Sequence, residues 1–144
     1  MSSQPASDFQ LVDDLFKRIA DKKDAVGEDG LTTSERVVYF TWGALGILEN
    51  GSFQYFFENN MNAEAVAKSL DLLGLTTLAC AVREANDKIS EGRSNSWEQK
   101  LGFLRENEAF FDSLAQHVVQ CGSEIERKLA IYIPSHAAFF SKGN

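Results

Sequence analysis

The chain has 144 residues, 44% of them hydrophobic, with a formal net charge of -7 and an isoelectric point near 4.8. A chain of this length can bury one core, with about 70% of the unfolded surface removed from water, so a single domain is expected. The acidity excludes nucleic acid as a direct ligand, since phosphate binding needs a basic stripe, and makes a basic protein the natural partner.

Met1 to Ser7 is polar and is expected to be loosely ordered, with one domain over 8–144. Nothing there reads as a signal peptide, which places the chain in the cytoplasm. Leu11, Val12, Leu15, Phe16 and Ile19 recur at helical spacing, and Ser7 with Gln10 suggests a capping box for a first helix of about Asp8 to Asp24. After Gly27 and Gly30, a second capping box of Thr32 and Glu35 opens the helix expected to be most buried, which carries Val37, Val38, Phe40, Trp42, Leu45 and Leu48 to a stop at Asn50-Gly51. Its apolar run, Val37 to Leu48, is too short for the roughly 20 residues that span a bilayer.

Directly behind the Asn50-Gly51 stop lies an aromatic knuckle, Phe53, Tyr55, Phe56 and Phe57. Core packing accounts for most of these rings, with Tyr55 and Glu58 free to point outward. Asn62 caps a helix through Ala63, Val66, Ala67, Leu70 and Leu73, and Gly74 sits where a left-handed residue ends it. Thr76 or Thr77 starts the next helix, with Leu78, Ala81, Val82, Ala85 and Ile89 inward. Gly92 to Ser96 reads as a polar loop. From Trp97 a helical period resumes, broken near Glu106 to Glu108 and again at Gly122-Ser123. Ile125, Leu129, Ile131, Tyr132 and Ile133 form the last long segment, and a short helix is expected after Pro134. The Tyr-Ile-Pro stretch has no partner strand and a lone strand is unstable, so the fold class is all-α, a compact helical bundle of about six to eight helices.

His117 and Cys121 are spaced i, i+4, as a cysteine nucleophile and its base would require, but buried structural roles fit the apolar helix better. Cys80 and Cys121 lack Cys-x-x-Cys spacing, so neither a disulfide framework nor a zinc site is expected, and Cys80 is read as an inert structural thiol. The pairs Asp13/Asp14 and Glu106/Glu108 sit on polar helix faces and read as solvated charge rather than an acid/base couple. Gly43 and Gly46 resemble no phosphate loop; they are expected to let another helix approach closely, and no cofactor or metal is expected. His136 is expected to be a surface or capping histidine.

Two stretches contain no lysine or arginine. Val37 to Ala67 carries Glu49, Glu58 and Glu64, and Glu106 to Glu126 carries Glu106, Glu108, Asp112, Glu124 and Glu126, whereas the first helix mixes Lys17, Arg18, Lys22 and Lys23 with its aspartates. An acidic protein-binding face is therefore expected from Glu49, Glu58, Glu64, Glu106, Glu108 and Asp112.

The order Leu31-Thr32-x-x-Glu35-Arg36-Val37-Val38-Tyr39, then Asn50-Gly51-x-Phe53-Gln54-Tyr55-Phe56-Phe57-Glu58, then an Ala/Leu-rich helix ending Leu73-Gly74, resembles a bacterial family of unknown-function domains whose named member is a Neisseria DNA-mimic protein. The similarity runs over 31–140, closing on Leu129, Tyr132, His136 and Phe139, with Ser52 where the family's Asn-Gly-Gly-Phe signature has its second glycine. The resemblance implies an all-helical homodimer and a relative whose surface carboxylates act as phosphate surrogates toward a DNA-binding transcription factor. The expected function is a non-enzymatic acidic protein-binding module that inhibits a DNA-binding regulator. An immunity or antitoxin-like protein neutralising a basic toxin is the alternative, and an enzyme of unrecognised type the weakest reading.

Overall fold

The computed structural model describes residues 7–140. Residues 1–6, and with them most of the segment expected to be loose, lie outside the described residues. Seven α-helices follow one another, α1 (Asp8–Val26), α2 (Thr33–Glu58), α3 (Ala63–Leu72), α4 (Thr76–Glu91), α5 (Trp97–Glu106), α6 (Glu108–Gln120) and α7 (Gly122–Ser135), with 3-10 turns at Glu28–Gly30 and Ala137–Phe139. The described residues contain no strand, so the fold is all-α. None of their helices is long and apolar enough to cross a membrane.

Local hydrogen bonding explains where most helices start and stop. Ser7 accepts from the Gln10 amide at 3.1 Å, giving half of the expected capping box. Thr32 and Glu35 form a complete one, the Glu35 amide donating to Thr32 Oγ1 at 3.1 Å and the Thr32 amide to Glu35 Oε1 at 2.9 Å. Glu35 is only 1% exposed, and Lys22 of α1 reaches it at 2.7 Å, tying α1 to the start of α2. At the end of α3, Gly74 takes φ 78° while the Leu75 amide donates to Leu70 O and the Gly74 amide to Asp71 O, so a Schellman turn satisfies the final carbonyls.

α2 packs against α1, α3, α6 and α7, and its side chains are buried nearly all round, from Val37 and Val38 through Phe40, Leu45 and Leu48 to Phe53, Phe56 and Phe57. The expected stop at Asn50-Gly51 is instead a kink. Gly51 (φ -162°, ψ 21°) and Ser52 (φ 57°, ψ -160°) leave helical geometry, and the helix then resumes to Glu58. Phe53 stacks edge-on to Phe56 at 5.2 Å and lies 6.3 Å from Phe111 of α6, so the rings behind the kink join α2 to α6. Tyr55 is exposed, as expected.

The short helix expected after Pro134 is the 3-10 turn Ala137–Phe139. Pro134 itself lies within the last turn of α7, where only one ladder bond is lost, and the His136 amide closes the end by donating to Tyr132 O and Ile133 O. Two other expectations are corrected. Gly43 does admit a neighbour, since a Cβ there would stand 3.2 Å from Phe16, but a Cβ at Gly46 would meet nothing within 4 Å. Cys80 is exposed rather than packed, because position 80 falls on the outward face of α4 between buried Ala79 and Ala81.

Candidate functional site

Packing of α2 on α6 brings the two base-free stretches side by side, with the kink at their junction. Gly51 is required there: a Cβ would stand 2.5 Å from Tyr55 Cβ. Ser52 occupies a backbone region populated almost only by glycine, and its hydroxyl donates to Asp112 Oδ1 of α6 at 2.7 Å. The contact offsets part of the backbone strain and fixes the orientation of the Asp112 carboxylate.

Three adjoining clefts that share lining residues surround this contact and are taken together as the α2–α6 groove. One segment is lined by Glu49, Ser52, Asp112 and Gln116. It shares Ser52 and Asp112 with a second segment bearing Glu108 and Arg105, and Glu49 and Val119 with a third bearing Asp13 and Glu126. Glu49, Glu108, Asp112 and Glu126 have no ion-pair partner among the described residues. Asp13 differs. The Trp42 indole donates to its Oδ1 at 3.0 Å and Lys17 stands 3.0 Å from its Oδ2. The indole first, and Lys17 second, hold the Asp13 carboxyl below the ordinary aspartate range.

The groove therefore gathers Glu49, Glu108 and Asp112 of the six acids expected to form the face. Glu58 and Glu106 are exposed at the ends of α2 and α5. Glu64 faces Arg83 of α4 at 3.4 Å, and Arg83 also meets Asp71 at 2.9 Å, so the charge at Glu64 is partly cancelled by a base 19 residues further along the chain. Sequence reasoning placed Glu126 in an acidic stretch but not in the site, and left Asp13 out because its own helix is rich in lysine.

The His117–Cys121 pair is not assembled. His117 is exposed, α6 ends at Gln120, Cys121 forms its C-cap at φ -97°, and no hydrogen bond joins the two side chains. Among the described residues no cluster of three or more His, Cys, Asp or Glu side chains is placed to hold a metal. His136 is a capping residue: it follows α7, stacks on Tyr132 at 3.9 Å, and has Nδ1 2.9 Å from Tyr132 O.

A family model described as DMP19-like protein matches residues 29–136. The chain belongs to the DMP19-like family. No curated protein and no solved structure matches it significantly. The DMP19-like match begins within the first 3-10 turn, two residues before the resemblance read from the sequence, and ends at His136, short of Phe139. It contains the kink and the four unpaired carboxylates of the groove. Asp13 and the rest of α1 lie outside it.

Proposed function

We propose that this DMP19-like protein binds a basic, DNA-binding protein through the α2–α6 groove, its carboxylates standing in for phosphates and blocking DNA access. The observation that carries the reading is that Glu49, Glu108, Asp112 and Glu126 line three adjoining clefts and have no ion-pair partners among the described residues. α6 is 13 residues long, about 19 Å at 1.5 Å per residue. One DNA strand presents a phosphate every ~3.4 Å, or about six over that length, and a duplex about twice as many. Glu108 and Asp112 stand on α6, and Glu49 of α2 and Glu126 of α7 beside it, so the groove supplies fewer charges than one strand over that length, and Arg105 lowers the total further. A homodimer, which the family reading adds to the proposal, would supply a second set. Glu58, Glu64 and Glu106 then flank the main contact.

Binding of this kind weakens steeply with salt, because exposed charges further apart than a Debye length of ~8 Å are screened near physiological ionic strength. Capture from native lysate followed by mass spectrometry should return a DNA-binding regulator, and the parent protein should release that regulator from its DNA. Glu49→Lys with Glu108→Lys should abolish both effects without altering the helical circular dichroism, whereas Glu64→Lys should do little. Recovery of a toxin in place of a regulator, or release of the regulator by the doubly reversed protein, refutes the proposal.

A further inference from the structure

The groove clefts are lined by carboxylates, but the cleft where α2 and α4 end and α5 begins is not. This cleft, of 490 Å³, has Arg93 and Lys100 on its walls, Asn60, Asn86 and Ser94 beside them, Phe57 and Ile89 among its apolar surfaces, and no acidic side chain in its lining. On a chain of net charge -7 that composition is unexpected. The side chains of Arg93, Lys100, Asn60, Asn86 and Ser94 make no hydrogen bond or ion pair among the described residues, so their donors remain available to a ligand.

Local structure does not account for the two cations. Arg93 holds the left-handed position after α4 at φ 46°, its amide donating to Ser90 O, a place that glycine fills without steric cost. The glycine stands one residue earlier, where a Cβ at Gly92 would lie 2.8 Å from the Phe103 ring. Lys100 is the fourth residue of α5, near the positive end of that helix, where a cation is disfavoured. Glu58, Glu91 and Glu98 stand at the same three helix ends but outside the lining, so the cations Arg93 and Lys100 are the only charged side chains on the cleft walls.

We propose that this cleft binds a small organic anion, a carboxylate or phosphate monoester bearing an apolar group, with Arg93 and Lys100 on the anionic head and Phe57 and Ile89 against the apolar body. The test is a titration of the full chain with benzoate, phenyl phosphate and neutral benzyl alcohol, followed through backbone amide chemical shifts. At least one anion should shift the amides of Asn60, Met61, Arg93 and Ser94 saturably, and the tighter of the two identifies the head group. Arg93→Gly, which also relieves the left-handed backbone, and Lys100→Gln should each weaken that binding roughly tenfold, the loss expected for one charge-assisted contact. Because Arg93→Gly removes the charge without straining the fold, a loss of binding in this variant reports the site itself. Absence of shifts with both anions, equal binding of benzyl alcohol, or undiminished binding by the two variants overturns the assignment.

Discussion

Ser52 holds a glycine-like conformation while its hydroxyl bonds to Asp112, and substitutions separate the two effects. The backbone at φ 57°, ψ -160° costs a residue with a Cβ about 1–3 kcal/mol relative to glycine. The 2.7 Å bond to the carboxylate belongs to the class contributing about 1.5–3 kcal/mol, and the half-buried position of Asp112 favours the lower end, because water can replace the donor. Ser52→Ala loses the bond and keeps the strain, so it should destabilise by about 1–2 kcal/mol. Ser52→Gly loses the bond, sheds the strain, and gives up about 0.5–1 kcal/mol through the freer unfolded chain. Glycine should therefore be more stable than alanine by about 0.5–2 kcal/mol, and close to the parent. Urea unfolding at constant m-value measures all three proteins, and repeating it on an Asp112→Ala background isolates the bond. There Ser52→Ala should cost little and Ser52→Gly should stabilise. Equal stability of the alanine and glycine variants would refute the strain argument, and an undiminished cost of Ser52→Ala without Asp112 would refute the hydrogen-bond argument.

Two further outcomes follow from the amino-terminal helix. Lys22→Met removes the cation 2.7 Å from a carboxylate that is 1% exposed, and should cost about 3 kcal/mol in urea unfolding, while Lys22→Met with Glu35→Met should recover part of that loss; a single-variant cost under about 1 kcal/mol would show that other contacts satisfy Glu35. Asp13 has its folded-state pKa depressed by the Trp42 indole and Lys17, so its contribution is fully present above the unfolded value of ~3.9 and is lost as pH falls through the lower folded value. The stability gap between the parent and Asp13→Asn, followed by thermal unfolding, should hold constant from neutral pH to ~5 and close below ~3.9, and a gap independent of pH would contradict it.

The features legible in the sequence are those governed by neighbours along the chain. Ser7, Thr32 with Glu35, Asn62 and Gly74 mark helix ends because a cap is a bond between residues three to five apart. The kink was only half legible. Asn50-Gly51 has the signature of a stop, but the helix resumes because the buried Phe53 and Phe56 pack against the same core as Leu45 and Leu48. The groove was less legible still. Absence of lysine and arginine singled out the two acidic stretches, yet which acids share a groove depends on the packing of α2 against α6, and which are neutralised depends on bases distant in sequence, as Arg83 shows for Glu64. Cys80 shows the limit of composition, since a cysteine's tendency to be buried gives way to its position on an outward helix face.

The kink links the family's turn motif to the chemistry proposed for the groove. A carboxylate free to swing presents its charge over a range of directions and loses side-chain entropy when a partner fixes it. Asp112 is already fixed, with one oxygen engaged by Ser52. The engaged oxygen lowers the hydrogen-bonding capacity left for a guanidinium, but part of the ordering cost is met before binding. Glu49 lies in the regular helix two residues before the non-helical Gly51 and lines the same cleft as Asp112, so the kink joins the two carboxylates at one site. Glycine at position 52 would leave Asp112 with both oxygens free but no longer held by the hydroxyl. If the groove binds as proposed, Ser52→Gly should bind the captured regulator more slowly or more weakly than its near-parental stability implies, whereas a site that uses Asp112 bidentately would bind it more tightly. Measuring both affinity and unfolding on this one variant separates preorganisation of the acidic groove from stabilisation of the fold.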